Sequence, residues 1–507
     1  MQMGGLERRV MMHVDPNNPT HVDELPDDLG VFPVINSDLI HAGVPSSSVA
    51  GSAASASLPF SAVPAMESNP TAAAKLYLDF TGDTTSSWGS FRPGTTPAYD
   101  TDGDATTFSD SELASIQQVF SRVAEKFSPF NIDVTTVNPG NLTNRQTLKV
   151  VIGGDGAWLG AQAGGVSYVG SFADSSSNVV FVFPKMLANG VAQYVAEAAA
   201  HESGHAFGLQ HQSSYDAKGN KTAEYAPANS NNDAPIMGGS YTARRGLWWD
   251  GTASDSIAHI QDDLTVISSS TNGFGYRADD FGGTITSASV LSLNGTSVST
   301  QGVIEKTSDA DVFSFTTGAG PVMFSADPVA GGMLDLKLEL RDSAGTLLAS
   351  QDNGLGESLS TNLAAGDFYL TISSHGSYGD VGQYSLHGEI TEPTITPPLG
   401  AKNIPGDANL DGRVDFADLT IVSQNYGLVA SAWQQGDFNG DGTVDFADLT
   451  EVAQNYGTQL PAETSATTKS SLSNSPALAS AKRTVFSVKP ISVRQNVIRE
   501  PHWQRRV

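Results

Sequence analysis

Three histidines and one glutamate, close together in the sequence, are the residues best suited to chemistry. His201 and His205 are four residues apart, so on a helix their side chains lie on the same face, one turn apart. This spacing lets two imidazoles bind one tetrahedral zinc ion, with Glu202 beside them as a general base. Gly208 tolerates a positive φ and can end the helix, which brings His211 back as a third ligand. The fourth position stays open, as catalytic zinc sites require.

The stretch His201–His211 matches the H-E-x-x-H-x-x-G-x-x-H signature at every fixed position and therefore resembles the metzincin zinc metallopeptidases. Members of this clan have a methionine turn below the metal, and Pro235–Gly239, with Met237 at its centre, is the candidate here. The resemblance implies one catalytic Zn²⁺ held by the three histidines, with Glu202 as the general base toward a metal-activated water. It predicts a zinc metalloendopeptidase that hydrolyses peptide bonds in protein or peptide substrates.

One feature of the metzincins is not matched. In astacin-like and serralysin-like members, a tyrosine two residues after the methionine can assist at the metal. Gly239 occupies that position here, and the nearest tyrosine is Tyr241, whose role the sequence leaves open. The glycine- and aspartate-rich calcium repeats of serralysins are also missing from the sequence, so the resemblance is to the clan and not to one family.

A second set of candidate metal ligands lies in a repeated segment, in which Gly406–Thr420 recurs as Gly436–Thr450. Its Asp and Asn residues occupy positions 1, 3, 5, 9 and 12 of a calcium loop, with glycine at the sharp turn. These residues are Asp407, Asn409, Asp411, Asp415 and Asp418 in the first copy, and Asp437, Asn439, Asp441, Asp445 and Asp448 in the second. Aspartate at position 12 makes residues 404–460 resemble a type I dockerin. That resemblance implies two Ca²⁺ ions, an EF-hand-like pair of loop-helix units and a possible cohesin-type protein partner.

The elements that position the histidines follow from hydrophobic periodicity. Ser109–Glu112 is a capping box that starts an amphipathic helix with apolar residues at positions 113, 116, 120, 123 and 127. Helix Val191–Leu209 carries the zinc ligands, and Gln261–Ile267 is assigned to the last helix of the domain. Strands are predicted at Lys75–Phe80, Ile132–Val137, Leu148–Ile152, Val166–Phe172 and Val179–Phe183. This order resembles the upper half of a metzincin domain, in which Val166–Phe172 would be the exposed edge that pairs with an extended substrate.

From about residue 276 the pattern changes to short strands separated by Gly, Asp and Ser, which predicts an antiparallel β-sandwich. The segments Asp309–Phe315, Ala365–Leu370 and Gly382–Leu386 resemble the bacterial pre-peptidase C-terminal domain, an accessory sandwich of secreted peptidases. Asp309 and Asp311 can bind calcium or cap turns. The predicted strands are Asp311–Thr317, Val322–Asp327, Leu334–Asp342, Leu347–Gln351, Phe368–Ser373 and Tyr384–Glu389.

Composition limits the possible partners. Lys and Arg number 27 against 54 Asp and Glu, a net charge of −27, which argues against nucleic acid and anionic membranes and fits a calcium-loaded secreted protein. The sequence has no cysteine, so disulfides and thiolate metal sites are excluded. No apolar run approaches the length of a transmembrane helix. The acidic loop Asp100–Asp104 either binds calcium or is simply solvated.

We therefore expect a multidomain protein with an α+β metzincin-like domain (mixed sheet and active-site helix), an all-β sandwich and a small α-helical dockerin-like module. The predicted ranges are 1–71 for a largely disordered leader or propeptide, 72–272 for the peptidase domain, 273–391 for the sandwich, 392–403 for a linker, 404–460 for the dockerin-like module and 461–507 for a disordered basic tail. A secreted or cell-surface location is expected, although no standard signal peptide is visible and the export route stays open.

Two other functions compete with this interpretation. A non-catalytic, calcium-dependent adhesion or scaffold protein with a degenerate peptidase domain would explain the sandwich and the repeated calcium loops, but not the complete ligand trio with its glutamate. A polysaccharide-degradation component follows only from the presence of a dockerin, because no pair of acids stands out as glycosidase carboxylates.

Overall fold

The computed structural model describes residues 29–32, 57–174, 177–393, 404–429, 432–439 and 441–459. The chain divides into two compact units, Met1–Thr396 and Pro397–Val507. The predicted basic tail, most of the predicted linker and most of the predicted leader lie outside the described residues. Among the described residues, no helix combines the length and the apolar character that crossing a membrane requires.

The described residues of the N-terminal part of the first unit form an open sheet, two long helices, a short third helix and several two-stranded sheets. Its elements are β1 Leu29–Phe32, β2 Ala74–Asp79, β3 Asp83–Thr85, β4 Gly94–Thr96, α1 Asp110–Phe127, β5 Ile132–Thr135, β6 Thr147–Ile152, β7 Gly165–Tyr168, β8 Val179–Val182, α2 Ala192–Ala206, β9 Ser214–Tyr215, β10 Lys221–Ala223, β11 Asp233–Pro235, β12 Arg245–Leu247, β13 Asp250–Thr252, β14 Ile260–Asp262 and α3 Asp263–Ile267. The six-stranded sheet has the order β1-β7-β8-β6-β2-β5. Strands β8, β6, β2 and β5 are parallel, whereas β7 and β1 are antiparallel to their neighbours.

The alternation of side chains along the sheet explains why it is covered on both faces. Leu76, Leu78 and Val150 point into a core shared with α1 and α2. Val151 and Phe181 point to the opposite face, where they join a smaller aromatic cluster. The mixed sheet and the strands predicted at Lys75–Phe80, Ile132–Val137, Leu148–Ile152 and Val179–Phe183 are confirmed, each within one or two residues.

Both long helices begin and end close to their predicted bounds. In α1, Ser109 Oγ accepts a hydrogen bond from Glu112 N, and Ser109 N donates to Glu112 Oε2 at 2.8 Å, so the capping box is formed. Helix α2 is buried on almost every side and is rich in alanine, as expected for a helix in the middle of a domain. The predicted last helix is shorter than expected: residues 260–262 pair with β13, and α3 begins at Asp263. Asp262 caps it, because its carboxylate accepts from Thr265 N at 2.8 Å and so holds residue 262 extended.

The C-terminal part of the first unit is the predicted sandwich. Its strands are β15 Ser289–Val290, β16 Leu293–Asn294, β17 Ser297–Ile304, β18 Ala310–Thr317, β19 Gly320–Pro328, β20 Leu336–Asp342, β21 Leu347–Gln351, β22 Glu357–Leu363, β23 Gly366–Ser374 and β24 Gly382–Glu389. They form two five-stranded sheets, β15-β18-β23-β20-β21 and β16-β17-β24-β19-β22, around one apolar core. The sequence did not reveal four of these strands: β15 and β16 have only two residues each, and polar residues dominate β17 and β22.

The sandwich packs directly on the N-terminal part through buried polar contacts. Arg245 donates to both carboxylate oxygens of Asp233, at 3.0 and 2.8 Å, and to Asp380 of the sandwich at 2.7 Å. Gln383 of the sandwich donates to Glu125 of α1, with its side-chain amide at 2.9 Å. The two predicted domains therefore lie in one compact unit, and the domain boundary between residues 272 and 273 stays a prediction.

The described part of the second unit, within residues 404–459, contains two repeated loop-helix segments. Helices α4 Phe416–Asn425 and α5 Phe446–Asn455 begin where the loops end. They contact each other and share a short apolar core that includes Val414, Val422, Val444 and Val452. A core of this size is consistent with dependence on bound metal.

Candidate metal centre

Helix α2 and the turn after it bring the three predicted zinc ligands together. His201, His205 and His211 each offer a ring nitrogen, and these three atoms lie within 4.8 Å of one another. Gly208 has a φ of 107°, the left-handed conformation that reverses the chain and returns His211 to the helix. The separation suits three ligands of a single tetrahedral ion, whose fourth position remains for water or substrate.

Hydrogen bonds orient each imidazole. His201 Nδ1 lies 2.7 Å from the carbonyl oxygen of Ile236, and His205 Nδ1 lies 2.7 Å from that of Leu209. A carbonyl oxygen only accepts, so each Nδ1 carries the proton and each Nε2 keeps its lone pair for a metal. The Nε2 atoms of His205 and His211 are buried and have no hydrogen-bond partner, which the binding of a cation would correct.

Burial also favours the neutral form of the His201 and His205 imidazoles. It lowers the pKa of His201 and of His205 well below the ordinary value, and the charges of the neighbouring histidines add to the effect. Neutral imidazole is the form that binds metal. The donor set therefore fits the Zn²⁺ that the sequence predicts.

Glu202 is buried on α2 and faces strand β7. A Cβ atom added to Gly165 in β7 would lie 2.7 Å from both Cγ and Oε1 of Glu202. Only glycine at position 165 leaves room for this carboxylate. Glu202, which is not one of the three predicted zinc ligands, thus lies next to β7, the strand expected to align the substrate.

Met237 lies beneath the helix, as expected for a methionine turn. It is fully buried, and a Cβ added to Gly204 of α2 would lie 2.6 Å from its sulfur. The turn is closed by a hydrogen bond from Gly238 N to Pro235 O at 2.9 Å. Its neighbour Ile236 supplies the carbonyl that orients His201, so the turn and the ligands are directly connected.

Two residues next to the histidines were not identified from the sequence. Glu224 Oε1 accepts from His211 Nδ1 at 2.7 Å, and its other oxygen accepts from Lys221 at 2.6 Å. The ring of Tyr225 lies 4.6 Å from that of His211, and burial together with Glu224 and Glu202 raises the pKa of its hydroxyl well above the usual range. Burial and Glu202 similarly raise the pKa of Tyr241. Glu224 and Tyr225 lie in a polar loop without periodicity, so no sequence signal pointed to them.

The predicted exposed edge strand requires a correction. Strand β7 covers Gly165–Tyr168, whereas residues 169–172 form turns. Strand β7 is not the outermost strand, because β1 pairs with it antiparallel, with Leu29 opposite Tyr168 and Phe32 opposite Gly165. Part of the predicted leader therefore occupies the edge that a substrate would need. Residues 57–71 are also ordered, since Phe60, Val63 and Met66 pack on the main core.

The repeated loops of the second unit use their carboxylates to hold backbone amides. Gly412 N donates to Asp407 Oδ2 at 2.9 Å, and Gly442 N donates to Asp437 Oδ2 at 3.0 Å. Asp418 Oδ1 accepts from Ala408 N at 2.9 Å, and Asp448 Oδ1 accepts from Phe438 N at 2.8 Å. Among the residues that the structure describes, neither loop brings three carboxylates within 4.8 Å of one another.

In the acidic loop near α1, Asp100 and Asp102 come together with Glu112, and not with Asp104 as the spacing suggested. Asp100 Oδ1 accepts from Gly103 N at 2.6 Å, and Glu112 Oε1 accepts from Thr101 N at 2.8 Å. These contacts are those of a loop that folds around the start of a helix.

We expect His211→Ala to weaken zinc binding more than Met237→Leu does, because the first change removes a ligand. Loss of a residue that hydrogen-bonds to a metal ligand typically lowers metal affinity roughly 10- to 100-fold. We therefore expect loss of the ligand itself to lower zinc affinity by more than about 100-fold. Leucine has nearly the volume of methionine, a swap that usually costs less than about 1.5 kcal/mol of stability. Zinc titration of both variants measures the difference, and equal affinities would argue against His211 as a ligand.

Comparison with known protein families supports two parts of this description, the region that contains the histidines and the repeated loops. Residues 106–244 match the family model for reprolysin-like metallopeptidases of family M12B, and residues 405–457 match that for the dockerin type I domain. The search of curated proteins found no match. These results confirm the metallopeptidase and dockerin resemblances, while the roles of individual residues stay predictions.

Two of the solved structures that are similar to the chain each cover about a fifth of it. The pre-peptidase C-terminal domain of the collagenase from Bacillus anthracis matches with 19% identity and a TM-score of 0.17, covering 20% of this chain and 94% of that domain. The g-type lysozyme inhibitor PliG from Aeromonas hydrophila matches with 14% identity and a TM-score of 0.18, covering 20% of this chain and 96% of that chain. The chain thus contains one region similar to the reprolysin-like metallopeptidases and a second region similar to type I dockerins.

Proposed function

We propose that this protein is a secreted zinc-dependent endopeptidase whose dockerin-like module binds a cohesin-type partner in the presence of calcium. The observation that carries the proposal is the histidine trio: three imidazole nitrogens lie within 4.8 Å of one another, and each ring is oriented through its Nδ1. A buried glutamate next to two of the ligands completes the set that peptide hydrolysis needs.

In this proposal, Nε2 of His201, His205 and His211 hold the zinc ion. When bound, zinc lowers the pKa of water toward neutrality and polarises a carbonyl group. Glu202 takes the proton of the attacking water on its carboxylate and later delivers it to the nitrogen of the leaving amine. Burial of Glu202 beside β7 keeps the carboxylate in place and away from bulk solvent.

An extended peptide would be aligned by the backbone of β7, in the position that β1 occupies in this structure. The antiparallel pairing of Leu29–Phe32 with Gly165–Tyr168 shows that this edge accepts another strand. Substrate and leader would compete for the same backbone donors and acceptors. We therefore expect the N-terminal segment to reduce activity until it is displaced or removed.

The second unit would anchor the enzyme to a partner. Phe416 and Phe446, at equivalent positions in the two repeats, are 70% and 71% exposed and offer an apolar surface for another protein. A dockerin-like module and a strongly acidic chain fit an extracellular or cell-surface location. An adhesion or scaffold protein would use the same module, but it would not need the oriented histidines.

Mass spectrometry of peptides released from a protein mixture tests the proposal. We expect cleavage by zinc-loaded protein, faster cleavage by a chain that starts at Ser57, and none after zinc chelation, with recovery when zinc is added back. The cleavage sites would also show the preferred side chains. Absence of any zinc-dependent product from both chains at full zinc occupancy would favour the scaffold alternative.

A further inference from the structure

His211 differs from the other two predicted zinc ligands in the group that holds its ring. His201 Nδ1 and His205 Nδ1 each lie 2.7 Å from a backbone carbonyl oxygen, whereas His211 Nδ1 lies 2.7 Å from Oε1 of Glu224. A carboxylate oxygen only accepts, so Nδ1 of His211 donates the proton and Nε2 keeps its lone pair. Hydrogen bonds to a charged group are roughly twice as strong as neutral ones. The third ligand therefore has a stronger hydrogen-bond acceptor than the other two.

His211 also needs such a partner more than the other two histidines do. His201 and His205 lie on α2 and are 0% and 1% exposed, so the helix and the core restrict both side chains. His211 lies beyond the end of α2, and its side chain is 12% exposed. A histidine in such a segment can adopt several rotamers, and fixing one of them costs side-chain entropy. The hydrogen bond to Glu224 selects one orientation of the ring.

The backbone of Glu224 is tied to the segment that follows His211. Strands β9 and β10 form an antiparallel hairpin between these two residues. At the base of the hairpin, Ser213 Oγ donates to the carbonyl oxygen of Glu224 at 2.5 Å, and Ala226 N donates to the carbonyl oxygen of Gln212 at 2.7 Å. An ordered main chain therefore places the carboxylate beside His211.

The second oxygen of the Glu224 carboxylate is paired with a cation. Lys221 Nζ lies 2.6 Å from Oε2 of Glu224. A neighbouring positive charge favours the ionised form of a carboxylate, so Lys221 helps Glu224 to keep its negative charge. Both carboxylate oxygens thus have a partner, and the contacts lead from the partly exposed lysine to the ligand whose Nε2 is buried.

A contact between a histidine and a carboxylate does not by itself indicate a metal ligand. In the sandwich, His375 Nδ1 lies 2.6 Å from Asp352 Oδ1, and these side chains are 49% and 33% exposed, as in an ordinary surface pair. His211 differs because its Nε2 is buried without a hydrogen-bond partner and its ring belongs to the trio whose ring nitrogens lie within 4.8 Å of one another. Holding this ring through Nδ1 therefore also fixes the direction of Nε2.

We propose that Glu224 is a positioning residue for zinc binding: it holds the His211 ring with Nε2 toward the other two imidazoles, and Lys221 supports it through the second oxygen. This inference rests on the proposed function, because Glu224 has this task only if the three histidines hold the metal. Glu224 acts through His211 and not on a substrate. Its negative charge also makes the imidazole more basic and so a better donor to a cation.

The zinc affinity of the full-length protein tests this role through two variants. It is measured by competition with a chromophoric chelator, with calcium present throughout because the repeated loops are expected to bind calcium. We expect Glu224→Ala to bind zinc about 10- to 100-fold more weakly than the wild type, the usual range for a lost partner of a metal ligand. Glu224→Gln keeps an oxygen that accepts from Nδ1 but loses the charge, so we expect a smaller loss, roughly two- to tenfold.

Asp352→Asn is the matched control for these variants. It removes the charge from a carboxylate that also accepts from a histidine Nδ1, and it should keep the wild-type zinc affinity. Lys221→Met tests the support of Glu224. We expect it to weaken zinc binding when Glu224 is present and to have no further effect in Glu224→Ala, because Lys221 acts through that carboxylate. Equal effects in both backgrounds would overturn the part assigned to Lys221.

Loading with Co²⁺ in place of zinc gives a second readout, because the visible absorption of this ion depends on the geometry of its ligands. We expect the spectrum of cobalt-loaded Glu224→Ala to differ from that of the wild type, and that of Glu224→Gln to resemble it. The melting temperature of each metal-free protein checks folding. If Glu224→Ala does not fold, the smaller affinity losses of Glu224→Gln and Lys221→Met provide the test.

Failure of this role can be told apart from failure of the proposed function. A wild-type protein that binds no zinc through the three histidines would overturn both. Zinc-dependent peptide hydrolysis by the wild type, together with wild-type zinc affinity and cobalt spectrum in every folded variant at Glu224 and Lys221, would overturn only the role of Glu224.

Discussion

Glu202→Gln is expected to retain zinc and to lose peptide hydrolysis almost completely. General acid-base catalysis contributes roughly 10² to 10⁴-fold to a rate, and Glu202 is the carboxylate beside the ligand cluster that is not needed to hold the metal. Glutamine keeps the size of the side chain and its place against Gly165 but cannot take a proton. We therefore expect kcat to fall by about 10²-fold or more, with the zinc content unchanged.

Turnover of a peptide substrate, measured together with zinc content in the chain that starts at Ser57, checks this prediction. Glu392→Gln makes the same chemical change at an exposed position beyond the last strand of the sandwich, and it should leave both quantities unaltered. Near-wild-type turnover of Glu202→Gln at full zinc occupancy would remove Glu202 from the mechanism. Loss of zinc along with activity would instead assign it a structural role at the metal.

The features that could be predicted from the sequence are those that neighbouring residues determine. The capping box at Ser109 and the apolar period behind it place α1 without reference to the rest of the chain. The spacing of His201 and His205 acts within one helix, and Gly208 reverses the chain locally to bring in His211. Such features depend on contacts over one or two turns of helix, so they can be predicted from a single sequence.

The features that were missed depend on contacts between distant segments. Arg245 joins Asp233, at the start of the methionine-turn strand β11, to Asp380 in the sandwich, so the predicted accessory domain is in contact with the strand pair that leads to Met237. The pairing of β1 with β7 and the bond from His211 to Glu224 are of the same kind. Apart from His211, these residues do not belong to a recognised motif, and only the path of the folded chain brings them together.

The second large effect that we expect is the loss of structure in the dockerin-like module when calcium is removed. The loops each carry four aspartates, and Asp418 and Asp448 are fully buried beside the others. Burial, with the charges of Asp418 and Asp411, raises the pKa of Asp407, whose buried Oδ1 has no hydrogen-bond partner. Closing such a loop without a cation brings like charges together and leaves carboxylates unpaired.

The apolar core of this unit is too small to offset that cost. It consists of seven buried side chains, most of them valines, shared between α4 and α5. Binding free energy from calcium must then supply much of the folding free energy, as in other small metal-dependent domains. Because α4 and α5 contact each other and share this core with residues of both loops, the two loops should fold together and not one after the other.

Circular dichroism of residues 404–460, titrated with calcium after chelation, measures this dependence. We expect little helical signal without calcium and a single cooperative increase on its addition. Asp418→Asn alone should weaken both halves, because it removes a carboxylate oxygen from one loop while the helices remain interdependent. We expect Asp445→Asn to reduce the helical signal less than Asp418→Asn does. Asp445 caps α5 from an exposed position, and the side-chain amide oxygen of asparagine can still accept from Ala447 N. A helical spectrum that the chelator leaves unchanged would show that the two repeats fold without metal.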